Sequence, residues 1–357
     1  MECREDFLEN NIILEDMQEI YQSRTAWDKL DGSGIYVTGS TGMIASYFVM
    51  FLIYLNEVHN YHIKIYAGIR SLDKARGRFG KYLDRKYFHL LQGDINAPLT
   101  VQEPLQYIVH AASLASPQYY GKMPVETMLP NVVGTYQLLS YGAEHSLKGF
   151  LFFSSGSVYG SVDEAEGIRE ETVGSLDWLV AGNIYGESKR CGEAMCSAYF
   201  REFGLPVRIA RIHHTYGPTM DVRNDKRVFS EFANNILNGN NIVLKSDGED
   251  RRAFCYLGDT VAALFKILLE GAAGECYNVG NPKAYVSVRR LAEILTEVFP
   301  EKGLRVEFQK RTDEGYCASP VKRLIPVNVD KLQGLGWEAK TTVEEGFARS
   351  LRYLAQI

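Results

Sequence analysis

From Gly34 onward, short apolar runs alternate with helical stretches, and this alternation restricts the chain to a parallel sheet with helices on both faces. The runs GIYVTG from Gly34, HIKIYAG from His62, FHLLQGD from Phe88, YIVHAA from Tyr107, GFLFFSS from Gly149 and VRIARI from Val207 read as six strands. Met43–Val58, Asn131–His145 and Tyr185–Phe203 read as helices between them. After Tyr216 the pattern turns irregular, with basic and polar clusters, which suits a smaller lobe closing over a ligand. The run CYNVG from Cys276 is placed back in the main sheet. The predicted fold is therefore α/β: a doubly wound parallel sheet over residues 34–215, rejoined by 254–280, with a smaller C-terminal lobe from 216–253 and 281–357. Residues 1–33 carry Phe7, Ile13, Met17 and Ile20 at mostly helical spacing and are predicted to form a helical extension on the main body.

Bulk properties exclude several functions. The net charge of −5 over 357 residues provides no electrostatic basis for binding nucleic acid or an anionic membrane, so an anionic ligand requires a local basic patch. Cys3, Cys191, Cys196, Cys255, Cys276 and Cys317 form no C-x-x-C pair and no zinc-ligand spacing, so no metal site is expected. They are read as free thiols of a reducing cytoplasm. The start, MECREDFLENN, lacks the basic and apolar segments of a signal peptide. The most apolar run, Met43–Leu55, is shorter than the roughly 20 residues of a membrane span and is read as a buried helix. A cytoplasmic protein is expected.

Gly39-Ser-Thr-Gly42-Met-Ile-Ala45 follows the first strand and opens the first long helix. Glycines there let the backbone turn tightly and approach a pyrophosphate, while the helix N-terminus supplies free N–H groups and a positive dipole end. Ala45 stands for the third glycine of the fingerprint. This placement predicts a Rossmann-type NAD(P) site. In the second strand no acid follows Ile69 until Asp73, and Arg70, Ser71 and Lys74 suit a 2′-phosphate, which favours NADP over NAD. NAD stays open if Arg70 only stacks on adenine. Asp94, after the third strand, is placed to accept from the adenine amino group.

Tyr185-Gly-Glu-Ser-Lys189 has the i, i+4 spacing that puts both side chains on one helix face. An ammonium beside a phenol stabilises the phenolate and lowers a tyrosine pKa that is ordinarily about 10. Ser155, at the end of the fifth strand, can hydrogen-bond the same substrate oxygen. With the Gly39 loop, this set predicts hydride transfer at an alcohol, with Tyr185 as acid–base and Lys189 also holding the nicotinamide ribose.

These motifs resemble the extended short-chain dehydrogenase/reductase family of nucleotide-sugar epimerases, dehydratases and decarboxylases, from about Gly34 to the C-terminus. The resemblance rests on the Gly39 loop, ValHisAlaAla around His110, ProAsnValValGlyThr around Asn131, SerSerGlySerValTyrGly from Ser154, TyrGlyGluSerLys from Tyr185 and TyrGlyPro at Tyr216. AlaSerProGlnTyrTyr from Ala115, LysArgValPheSerGluPhe from Lys226 and ArgArgAlaPheCysTyr from Arg251 are most similar to UDP-glucuronate decarboxylases. The resemblance implies a catalytic set of Ser155, Tyr185 and Lys189. It implies a cofactor site at Gly39, Thr41, Gly42, Met43, Ile44, Arg70, Ser71, Asp94, Ile95, Ala111 and Ala112, with Tyr185 and Lys189. It implies a nucleotide-sugar site at Ser116, Tyr120, Ser157, His214, Arg227 and Arg252, and a homodimer formed through the helices after Asn131 and at Tyr185.

Two departures narrow the chemistry. A dehydratase of this family carries an Asp–Glu pair where Gly156 and Ser157 stand, so no acid or base is expected there and 4,6-dehydration is excluded. The decarboxylases carry a glutamate at the Ser157 position, which counts less firmly against decarboxylation, because a 4-keto-uronate is a β-keto acid that loses carbon dioxide without a strong base. His214 replaces the family's asparagine before TyrGlyPro, with His213 beside it, which suggests an altered pocket. The first expectation is a nucleotide-sugar epimerase or 4-ketoreductase acting at C4. The alternatives are a nucleotide-uronate decarboxylase and a cofactor-binding protein without catalysis.

Overall fold

Six of the seven strands of the main sheet fall where the apolar runs predict them: β1 Gly34–Val37, β2 Lys64–Ile69, β3 Phe88–Gln92, β4 Tyr107–His110, β5 Gly149–Ser155 and β6 Val207–Ile212. The seventh, β7 Cys276–Val279, returns to pair with β6, as expected for CYNVG. All neighbours are parallel and the order is β7-β6-β5-β4-β1-β2-β3. This computed structural model describes residues 6–162, 167–309 and 326–356; Cys3 and Cys317 lie outside them. The connections reverse direction between β1 and β4, and a crevice opens there at the carboxyl ends of the strands.

The apolar run after the glycine loop is an interior helix. In α2 (Met43–His59) every residue from Ala45 to Asn56 is buried, so an all-round apolar sequence is what its surroundings require. Its Phe48 stacks on Phe265 of α4 (Leu257–Glu270), ring centroids 3.8 Å apart.

The N-terminal segment is helical and packed, as predicted. Asn10 caps α1 (Asn11–Tyr21) by accepting from Ile12 N and Ile13 N, and Ile13, Met17 and Ile20 turn inward. Asp16 is buried with them. It accepts from the hydroxyls of Tyr47 and Tyr256 and pairs with Arg349 of the C-terminal helix α5 (Val343–Gln356).

The predicted Asn131–His145 helix is interrupted at its start. Pro130 to Gly134 forms a wide π-turn before the α-helix Thr135–Glu144, because Pro130 has no N–H to continue the ladder. Asn131 Nδ2 donates to Thr127 O at 3.0 Å and to Ser188 Oγ at 2.9 Å across the widened turn. Beyond Tyr216 a second apolar group forms around Phe229, Phe254, Leu291 and Phe347, with Tyr216 stacked on Phe347 at 3.7 Å.

Candidate active site

One cavity of about 3190 Å³ runs along the sheet crevice, and every predicted site residue lines it, from Gly39 to Arg252. At one end, Gly39 has φ of +61°, and a Cβ there would lie 2.8 Å from Ala112 Cα. A side chain is therefore excluded twice, by backbone strain and by a wall of backbone. Ala111 and Ala112 are held in place because both N–H groups donate to Thr38 Oγ1 at 2.9 Å. The N-terminus of α2 has no side-chain cap; Gly42 stands at that position, with Thr41, Met43 and Ile44 around it in the cavity wall. A flat backbone turn against an uncapped helix end fits a dinucleotide pyrophosphate.

Arg70 is exposed at the end of β2. Ser71 spends its hydroxyl capping the helix Leu72–Phe79, accepting from Lys74 N at 3.3 Å. Asp94 Oδ1 accepts from Asn96 N and Nδ2, so this carboxylate also organises its own turn, and Ile95 packs against Gly134.

Tyr185 and Lys189 lie in the first turns of α3 (Ile184–Phe203), both buried. Ser155 closes β5 and hydrogen-bonds the Tyr185 phenol. Lys189 Nζ donates to Phe153 O at 2.6 Å and lies 5.8 Å from the Tyr185 ring centroid. The serine, tyrosine and lysine that the sequence spaces apart thus converge at one end of β5.

The expected activation of Tyr185 by Lys189 is corrected by burial. Burial raises the Tyr185 pKa to about 12, against smaller lowering from the Ser155 hydrogen bond and from Arg227. Burial likewise lowers Lys189 to about 7. Removing both groups from water disfavours their charged forms more than their mutual proximity favours them. Among the described side chains, Arg227 is a cation that lowers Tyr185.

On the lobe side of the cavity, Tyr120 lies flat against Tyr185, ring centroids 4.9 Å apart, and donates its hydroxyl to Ala115 O. Arg227 approaches from the lobe, held by Asp225, whose Oδ2 accepts from Arg227 Nε at 2.7 Å and Nη2 at 2.6 Å. Ser116 reaches Asp225 Oδ1 at 3.4 Å, tying the Tyr120 loop to the same carboxylate. Arg252 pairs with Asp250 at 3.4 Å, His214 packs toward Phe254, and Ser157 N donates to Ser155 Oγ at 3.2 Å. Sequence reasoning missed Asp225 and Thr38, which orient other groups. Asp225 lies between two motifs but carries no spacing signal of its own.

Residues 35–280 match the NAD dependent epimerase/dehydratase family. The chain belongs to that family. It is an enzyme of a family that uses NAD, so the non-catalytic alternative is set aside. UDP-glucuronic acid decarboxylase 6 of Arabidopsis thaliana is 30% identical over 312 residues, covering 87% of this chain and 86% of that protein. UDP-glucuronic acid decarboxylase 1 of Xenopus tropicalis is 31% identical over 272 residues, 76% of this chain and 62% of that protein. Among solved structures, UDP-glucose 4-epimerase of Thermotoga maritima superposes with a TM-score of 0.76 at 23% identity, covering 90% of this chain and 99% of that one. UDP-glucuronic acid 4-epimerase of Bacillus cereus gives 0.75 at 21% identity, with coverages of 90% and 99%. These likenesses confirm the Rossmann-type doubly wound sheet. Among the described residues, no helix is long and apolar enough to cross a membrane and no metal-ligand cluster is found.

Proposed function

We propose that this epimerase/dehydratase family member oxidises and reduces a nucleotide-sugar hydroxyl at C4, as a 4-epimerase or 4-ketoreductase. The observation that carries this reading is the Tyr185 phenol, buried with Ser155 on one side and stacked on Tyr120 in a cavity shared with the glycine turn. When bound, the nicotinamide ring supplies the hydride acceptor and a positive charge. Tyr185 takes the hydroxyl proton, Ser155 hydrogen-bonds the same oxygen, and Lys189 lies below, anchored on Phe153 O. Arg227 faces the diphosphate or sugar, its fork oriented by Asp225. Arg70, exposed beside the ribose end, supports NADP over NAD. The described part of the lobe, residues 216–253, 281–309 and 326–356, supplies the sugar side, and the exposed Val125, Met128 and Tyr136 near the π-turn support pairing with a second copy.

Decarboxylation of a nucleotide uronate is the second reading. It is supported by the names of the 30%-identical relatives and by Arg252, mostly buried in the cavity wall. The test is turnover of UDP-glucose and UDP-glucuronate with NAD and with NADP. A 4-epimer or a reversible 4-ketone supports the first reading. A pentose with released carbon dioxide replaces it with the second. No reduced cofactor and no product with either sugar overturns both.

A further inference from the structure

β5 and β6 run in register with Ser155 beside Ile212, so the next residues, Gly156 and His213, meet at the carboxyl edge of the sheet. A Cβ at Gly156 would lie 2.6 Å from His213 Cε1 and 2.7 Å from Nδ1, so only glycine leaves room for the imidazole. The ring is half-buried and lines the same cavity as Ser155 and Tyr185. Its far nitrogen is fixed by Asn278. Asn278 Nδ2 donates to Ile168 O at 3.1 Å and to Asn328 O at 3.0 Å, which sets the orientation of the amide. Its Oδ1 accepts from the Tyr159 hydroxyl at 2.6 Å and faces His213 Nε2 at 3.4 Å. An acceptor oxygen in that place requires Nε2 to carry the proton. The neutral ring then has its lone pair on Nδ1, the atom turned toward Gly156.

We propose that His213 is a second acid–base residue of this site, serving the carbon next to the one that Tyr185 oxidises. The inference rests on the functional reading above. A ketone at C4 acidifies the neighbouring C–H. That bond breaks, the proton passes to Nδ1, and the electron pair forms the C=C of an enolate whose oxygen is held by the Ser155 and Tyr185 hydroxyls. Return of a proton from the imidazolium to the same carbon restores the ketone, so no further reactant is consumed. Because the ring is half-buried, its Nδ1 proton exchanges with water between the two steps. The carbon then carries solvent hydrogen. His213, just past β6, thus provides the base that Gly156 and Ser157, just past β5, lack.

The test is incubation of the protein with UDP-glucuronate and NAD or NADP in deuterium oxide. Reduced cofactor is followed by absorbance, and deuterium bound to carbon is measured in the recovered UDP-glucuronate by mass spectrometry and NMR. The wild type is expected to place deuterium on the carbon beside C4. His213→Gln keeps an N–H for Asn278 but has no basic nitrogen, and is expected to lower deuterium per reduced cofactor at least about tenfold. Gly156→Ala, which displaces the ring, is expected to lower the same ratio. An unchanged ratio in His213→Gln, or reduced cofactor without deuterium in the wild type, overturns the inference and leaves the functional reading standing. Absence in the wild type of both cofactor reduction and any product, with UDP-glucuronate and with UDP-glucose, overturns the functional reading itself.

Discussion

Tyr120 and Tyr185 are stacked face to face, with ring centroids 4.9 Å apart and planes within 4° of parallel. The stack shields the phenol from water and forms a wall of the cavity. Aromatic pairs of this kind contribute about 0.5–1.5 kcal/mol beyond their area, which corresponds to roughly two- to tenfold in rate or affinity. Tyr120→Ala is expected to lower kcat/KM by about that factor, while Tyr120→Phe, which keeps the ring and gives up the hydrogen bond to Ala115 O, stays within about twofold. Steady-state kinetics on the preferred nucleotide sugar checks both.

Burial makes Tyr185 a weak acid in the free protein, with its pKa near 12. Comparison of alkaline absorbance titrations of the wild type and Tyr185→Phe, without cofactor, is expected to show no extra phenolate below about pH 10. A difference appearing near neutral pH would show that Lys189 alone activates the tyrosine. With oxidised cofactor added, the titration of Tyr185 is expected to move down, because the added positive charge favours the phenolate.

Gly39 cannot accept a side chain, since its φ is +61° and Ala112 Cα lies 2.8 Å from where a Cβ would stand. Gly39→Ala is expected to weaken cofactor binding by about five- to 150-fold, from about 1–3 kcal/mol of backbone strain and lost approach to the pyrophosphate. Fluorescence titration with NAD and NADP measures this, and thermal unfolding without cofactor separates it from loss of fold.

The parallel sheet was legible because strands buried on both faces leave long apolar runs, and the Gly39 turn because only glycine meets its backbone demands. Tyr185 and Lys189 were legible as partners on one helix face. Their protonation was not, because it depends on how completely β5 and Tyr120 exclude water around them, and spacing carries no information about burial. Asp225 and the Gly156–His213 contact were hidden for a related reason. Each joins segments brought together only by strand register or lobe closure, and neither forms a local pattern. Asp16 carries no local sign of burial, whereas three side chains from distant parts of the chain enclose it.

Asp16 and Arg349 tie the N-terminal helix to the C-terminal one, with Asp16 fully buried. Leaving one member of such a pair unpartnered costs about 3–5 kcal/mol, so Arg349→Met is expected to lose about that much at pH 7 in urea unfolding. Burial raises the Asp16 pKa from 3.8 to about 6 in the fold. Its contribution is therefore fully present below about pH 4 and is lost as pH rises through about 6. Below that range Asp16 is neutral and needs no cation. The deficit of Arg349→Met relative to wild type is thus expected to be small at pH 4 and to grow as pH rises past 6.

In the proposed reaction Tyr185 moves the proton of a sugar hydroxyl. Single-turnover cofactor reduction by a nucleotide sugar, compared between wild type and Tyr185→Phe, tests it most directly. The expected result is a rate at least about 100-fold lower in Tyr185→Phe, with cofactor affinity within about threefold of wild type. Cofactor reduction at the wild-type rate in Tyr185→Phe would contradict this role of Tyr185.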